Sequence, residues 1–133
     1  MAYMPEDYAS RSQYIDMFTD LAKEVIKYQH EDGFWRASLL DPDSFPSPES
    51  SATSLFCYGL AWGIRYGYLD RETYLPVVNK AWAALETAVH DDGMIGWVQL
   101  PAFNPRDVKY DHNIDYGAGT FLLAASEMCQ LAK

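Results

Sequence analysis

Positive charge is scarce in this sequence: ten Lys and Arg stand against nineteen Asp and Glu, a formal net charge of −9. Nucleic acid and anionic membrane surfaces both reward clustered Lys and Arg, so this balance argues against either as a partner. Cysteine is equally sparse. Cys57 and Cys129 both sit in apolar helical sequence, where a cysteine most often serves as a small buried hydrophobe, and nothing in their spacing argues for a disulfide. No paired-cysteine metal motif, Gly-rich phosphate loop or nucleophile elbow is present. Of three histidines, His30 with Asp32 or His90 with Asp92 lacks the usual grouping of metal ligands. No apolar run reaches the ~20 residues that span a bilayer, and no N-terminal signal pattern is visible.

Apolar and aromatic residues are plentiful instead: 49% of the 133 residues are hydrophobic and 15% aromatic, with ten tyrosines and four tryptophans. A chain of this size buries roughly two-thirds of its unfolded surface, and that many rings exceed the needs of a small helical core. The surplus suggests ring-lined surfaces. The stretch from Pro48 to Gly67 organises the rest. It carries no charge between Leu55 and Ile64, and its apolar positions fall on every side of a helical wheel, which predicts an inner helix buried all round. Ser47 is the expected N-cap, with Pro48 at the first helical position and Glu49 beside the positive end of the dipole. Gly67 is the expected stop. Gly59 and Gly63 each cost about 1 kcal/mol of helix propensity, which makes sense where another helix packs closely.

The pattern recurs along the chain. After a polar lead-in, Ser10 and Gln13 form an expected capping box, and Tyr14, Met17, Phe18, Leu21, Val25 and Tyr28 give a one-sided stripe. Asp70 or Thr73 is expected to cap a third helix, with Pro76 tolerable only near its start, and a fourth, apolar on most sides, begins near Tyr116. The expected helices span about 11–30, 49–66, 71–90 and 116–131, within one all-helical segment covering 1–133. Each outer, amphipathic helix ends at a His-acid-Asp-Gly turn (His30 to Gly33 and His90 to Gly93, sixty residues apart), and a long proline-containing loop then leads to a glycine-containing apolar helix. Repeats of this kind signal stacked units. Alternating one-sided and all-apolar helices fit an all-α toroid of two helical hairpins, incomplete in this chain. Two hairpins cannot close a ring, so the expectation is a segment of a longer toroid, an assembling protomer or a small four-helix domain.

Both long loops enter the inner helices at the same end, where helical toroids hold their ligands. Trp35, Arg36, Trp97 and Gln99 follow the two Asp-Gly turns, and Glu49, Ser50, Ser51 and Tyr116 lie at the inner helix starts. Rings beside amides and carboxylates suit a pyranose, with its apolar face and its hydroxyls, but Trp35 and Trp97 serve equally well as pins that fix their loops. Arg36 suits a substrate carboxylate or a partner in Asp41 or Asp43. Glu49 is the best-placed acid, although an acid at a helix start more often serves the dipole. Asp32 and Asp92 are expected to bond their local backbone, and His30 and His90 to close the outer helices. Asp111, His112 and Asp115 form the remaining polar cluster, either reaching the cavity or capping the fourth helix.

Three runs carry a family resemblance: Asp32 to Pro42, Pro48 to Ala52, and Tyr58 to Ile64. With Gly96-Trp97-Val98-Gln99 and Tyr116 to Ala124, they resemble the C-terminal part of the unsaturated rhamnogalacturonyl hydrolases of glycoside hydrolase family 105. The resemblance runs in order over nearly the whole chain. It implies an (α/α)6 barrel, a bacterial cytoplasmic or periplasmic setting, pectin breakdown, and an oligosaccharide partner from whose non-reducing end the unsaturated galacturonyl residue is removed. It implies no metal or organic cofactor, since an aspartic acid protonates the C4=C5 double bond and water adds at C5. That aspartate lies in the family's N-terminal half, so no residue here matches it and the chain is expected to be inactive alone. Glu49 and Asp115 are the fallback acids within this chain; the substrate-binding candidates are Trp35, Arg36, Glu49, Ser51, Trp97, Gln99 and Tyr116. A carbohydrate-binding or self-associating helical module without catalysis is the alternative. With neighbouring hairpins missing, self-association or pairing with an N-terminal half is expected.

Overall fold

The computed structural model describes residues 1, 3–101, 105 and 107–133. Four α-helices follow in order: α1 (Arg11–Val25), α2 (Ser50–Arg65), α3 (Arg71–Thr87) and α4 (Asp115–Leu131), with a 3-10 turn at Ile26–Tyr28 extending α1. Among the described residues the only β-pairing is two isolated bridges, Arg36 with Pro48 and Val89 with Ile95. The architecture is therefore all-α, two hairpins of outer and inner helix.

The ends of the helices correct several expectations. Ser10 stands at the start of α1 but its side chain makes no capping bond. At α2 the cap is Glu49 rather than Ser47: its carboxylate accepts from the Ser51 and Ala52 amides, and the helix begins at Ser50. A carboxylate reaches the orphan amides of a first turn as well as a hydroxyl does and adds charge where the dipole favours it. Asp70 caps α3 by accepting from the Thr73 amide. Pro76 lies in the second turn of α3, on its exposed side. Gly67 terminates α2 at φ +73. The Tyr68 amide bonds the Gly63 carbonyl and the Gly67 amide bonds that of Ile64, the paired closure that left-handed glycine permits. The first outer helix stops short of His30, with Gln29 already extended at ψ 123.

α2 is the centre. Trp35, Cys57, Ala61, Val78, Ala81, Leu85 and Ala124 are enclosed around it, bringing together the first loop, α2, α3 and α4. Burial pushes the Cys57 thiol up to about 12, so it packs as an inert hydrophobe. Arg65 of α2 grips Glu127 of α4 with two bonds of 2.6 and 2.8 Å, the Arg65 guanidinium also lying 4.2 Å above the Tyr66 ring. Gly63 admits close packing as expected: a Cβ there would lie 2.6 Å from Leu69 and 2.8 Å from Phe18.

Gly59 does not, since a Cβ there would meet nothing within 4 Å. It lies in an open apolar groove of about 350 Å³ between α1 and α2, lined by Phe18, Leu21, Val25, Leu55 and Phe56. α4 is likewise not enclosed on all sides: Leu122 is 65% and Leu123 44% exposed. Apolar residues all round a helix require neighbours all round it, and these two sides have none within the described residues.

Candidate functional site

The two His-acid-Asp-Gly turns are built alike. In the first, the His30 amide bonds the Phe34 carbonyl at 3.0 Å and the Gly33 amide bonds that of His30 at 3.0 Å; in the second, His90 bonds Met94 at 2.8 Å and Gly93 bonds His90 at 2.9 Å. Asp32 Oδ1 accepts from the Phe34 amide and Asp92 Oδ1 from the Met94 amide, and both glycines are left-handed, at φ +87 and +86. These aspartates close turns, as their position before glycine implies.

Beyond the turns the two loops diverge. Three residues after the aspartate stand Trp35 in the first loop and Ile95 in the second, and both are buried. Trp35 has no exposed surface. Its indole N–H donates to the Val25 carbonyl at 2.7 Å, its amide to Thr53 Oγ1 at 3.0 Å, and its carbonyl accepts from the Glu49 amide. The ring meets Phe56 edge-on at 5.2 Å. Trp35 is thus a pin joining the end of α1 to the start of α2 and offers no face to a ligand. Trp97 lies two residues further along its loop and is only half-buried. The sequence pairs the two tryptophans by proximity to a turn; structural equivalence pairs Trp35 with Ile95.

Trp97 is also the one non-glycine among the described residues with positive φ, +56. That conformation lets its carbonyl accept from the Ser50 amide at 2.8 Å, so the loop satisfies the first amide of α2 while the half-buried indole packs against the edge of the core. Backbone strain of this kind costs of order 1–3 kcal/mol and concentrates at functional positions. The ring leans on Tyr110 at 5.6 Å, and Tyr110 stacks on His90 at 3.8 Å. His90 Nε2 lies 2.9 Å from the Tyr110 carbonyl. Gly96 is obligatory here, because a Cβ would collide with that carbonyl and with the His90 ring. Tyr110 and His90 were not legible as partners of Trp97; the glycine immediately before Trp97 is the one sequence signal that could have raised the question.

Glu49 joins both loops to α2. Its Oε1 accepts from the Ser51 amide, the Ser51 hydroxyl at 2.7 Å and the Gln99 amide at 3.0 Å, and its Oε2 from the Ala52 amide at 2.6 Å. Three donors meet Oε1 and one meets Oε2 of a carboxylate that is 3% exposed, so Glu49 caps α2 and clamps the second loop to it. Tyr116, at the start of α4, donates its hydroxyl to the Gln99 carbonyl; burial, then the Glu49 charge, raises its phenol above the ordinary range, which keeps that proton in place. Ser51 and Gln99 thereby bond one buried carboxylate directly, and Tyr116 is tied to it through the Gln99 backbone. Among the described residues the Gln99 side-chain carbonyl is buried without a partner.

Arg36 pairs with neither Asp41 nor Asp43. Its guanidinium grips Asp32 at 3.2 and 2.7 Å. Burial raises the Asp32 carboxyl, but the Arg36 and Phe34 hydrogen bonds outweigh it and hold the group below its ordinary value. Asp115 is exposed in the first turn of α4. His112 accepts the Lys109 amide at its Nδ1 and turns its own carbonyl to the Val98 amide, so it shapes the second loop. Among the described residues no three His, Cys, Asp or Glu are placed to hold a metal ion, and no helix is long and apolar enough to cross a membrane.

The model of Glycosyl Hydrolase Family 88 matches residues 1–132. An unsaturated 3S-rhamnoglycuronyl hydrolase of Formosa agariphila is 41% identical over 128 residues, 96% of this chain but 34% of that protein. A family 88 glycosyl hydrolase from Bacteroides vulgatus superposes with a TM-score of 0.91 at 39% identity, over 98% of this chain and 38% of the other. A possible member of the GH105 family from Salmonella enterica superposes at TM-score 0.81 and 26% identity, over 98% and 35%. The chain thus spans about a third of the length of the relatives it matches.

Proposed function

The chain belongs to Glycosyl Hydrolase Family 88, and from that premise we propose that it forms part of the sugar-binding wall of a hydrolase acting on unsaturated glycuronyl–rhamnose oligosaccharides. The observation that carries this reading is the cluster at the loop ends. Trp97, half-buried at a left-handed backbone position, lies two residues before Gln99, whose backbone carbonyl fixes the Tyr116 hydroxyl. A ring face and lateral hydrogen-bonding groups suit a pyranose ring. A glycuronyl residue joined to rhamnose is common to the resemblance in the sequence and to the name of the Formosa relative; a galacturonyl residue of pectin is the specific form that the resemblance implies.

The proton donor to the C4=C5 bond lies outside this chain in this proposal. Glu49 is buried and engaged by four donors as a cap, and the chain corresponds to a third of its relatives. Positioning alone lowers a barrier only where the reacting group is also present, so the isolated chain binds without turning over.

The test mixes the purified chain with an unsaturated glycuronyl–rhamnose disaccharide, reading tryptophan fluorescence for binding and ultraviolet absorbance of the conjugated double bond for turnover. The expected result is a saturable fluorescence change without absorbance decay, weakened at least about tenfold in Trp97→Ala, the loss of roughly 1.4 kcal/mol of contact, with far-ultraviolet circular dichroism unchanged. Wild-type affinity in Trp97→Ala rejects the site. Absorbance decay at an enzymatic rate rejects an external donor and makes Asp115 the first residue to replace.

A further inference from the structure

The second loop departs from the first at a single position. With Trp35 and Ile95 equivalent, Gly96 stands where the first loop has Arg36. Arg36 turns its side chain back to Asp32 of its own turn. At Gly96 there is no side chain, and the space one would take is filled by the His90 ring and the Tyr110 carbonyl. The histidine that follows α3 is thereby brought against the loop that carries Trp97.

Three successive amides of that loop end on three separate acceptors. Trp97 donates to the Tyr110 carbonyl at 3.4 Å and Val98 to the His112 carbonyl at 3.0 Å, while Gln99 donates to Glu49 at 3.0 Å. The first bond is the longest, and it belongs to the left-handed residue. A carbonyl oxygen only accepts, so His90 Nε2, 2.9 Å from the Tyr110 oxygen, carries the hydrogen between them. That oxygen has two lone pairs, and His90 takes one while the Trp97 amide takes the other. The His90 ring also stacks on the Tyr110 ring at 3.8 Å, with 12° between their planes.

We propose that His90 is a positioning residue for Trp97: its Nε2–H fixes the Tyr110 carbonyl to which the Trp97 amide is tied, and so sets the indole for sugar without itself touching sugar. A bulky residue stays left-handed only where its surroundings over-determine it. Here the Tyr110 carbonyl holds the amide of Trp97 and the Ser50 amide holds its carbonyl. The effect on sugar rests on the sugar-binding reading given above; the effect on the Trp97 backbone does not.

Two variants separate the donor from the ring. His90→Phe keeps a stacking ring and loses the donor, whereas His90→Gln keeps a side-chain N–H at similar reach and loses the ring. In chain labelled with 15N-tryptophan, the Trp97 backbone amide resonance is the one that disappears in Trp97→Phe. His90→Phe is expected to shift or broaden that resonance while those of Trp35, Trp62 and Trp82 stay in place, and His90→Gln to restore it. Titration with the unsaturated glycuronyl–rhamnose disaccharide is expected to show binding about three- to tenfold weaker in His90→Phe, the worth of one hydrogen bond, and near wild type in His90→Gln. A wild-type Trp97 resonance in His90→Phe overturns the role of the donor, as does equal impairment in both variants. Displacement of all four tryptophan resonances shows a general structural role and overturns it too. If wild-type chain binds no sugar, the sugar-binding reading falls, and positioning by His90 is decided by the amide resonance alone.

Discussion

Trp35 and Trp97 are chemically identical and lie at nearly the same distance from an Asp-Gly turn, yet one is a pin and the other a candidate platform. Trp35 loses everything when truncated: its indole bond to Val25, its contact with Phe56 and its place at the centre of the core. Trp35→Ala is expected to cost about 3–5 kcal/mol, the range for a large buried ring, which a urea titration followed at the helical circular dichroism band reads directly. Glu49 illustrates the same point for a charged residue. Removing its carboxylate orphans the Ser51, Ala52 and Gln99 amides together. Glu49→Ala is therefore expected to cost about 2–3 kcal/mol, more than the ~1 kcal/mol of an ordinary cap, and to loosen the Trp97 loop, visible as a shift in tryptophan emission before global unfolding.

At the scale of elements, the two turns offer a controlled comparison. Gly33 and Gly93 share hydrogen bonds and left-handed φ values of +87 and +86, but a Cβ on Gly33 would lie 2.5 Å from the Lys80 carbonyl and 2.9 Å from Ala84, whereas one on Gly93 would meet nothing. Gly93→Ala is expected to cost only the left-handed penalty, about 1–2 kcal/mol. Gly33→Ala adds a backbone collision with α3 and is expected to cost at least about 1–2 kcal/mol more, measured as the difference between the two urea midpoints. Repetition in the sequence made the turns legible; which of them packs against a helix was not, because packing depends on where α3 runs. The extent of the first outer helix shows a similar limit. Its apolar stripe continues to Tyr28, but the last turn tightens to 3-10, and that tightening lets the Gln29 side-chain amide reach the Gly33 and Val77 carbonyls.

For the whole molecule, acid is expected to act through turns and caps. Asp32, against Arg36, and Asp70, against the Thr73 side chain and amide, both titrate below their ordinary value of 3.8. A carboxyl depressed in the folded state contributes stability that is complete above its unfolded value and disappears as pH falls through the folded one. Stability should hold from neutral pH to about pH 5 and decline below it. Asp32→Asn is expected to flatten part of that decline, as seen by comparing urea midpoints at successive pH values. An equally steep acid limb in the variant would show that Asp32 and Arg36 are not paired in solution.

Helical class, the two-hairpin repeat, the turn aspartates and the residues clustered at the inner helix starts were all determined by the sequence, because local spacing, turn chemistry and hydrophobic period act over a few residues. Tertiary structure alone decided that Glu49 caps α2 and clamps the second loop, that Arg36 answers Asp32, and that Trp35 is fully buried while Trp97 is half-buried on a left-handed backbone. It also decided which sides of α2 and α4 are bare. Each of these turns on donors, acceptors or neighbours that converge from separate helices and loops, and no spacing along one segment encodes that convergence.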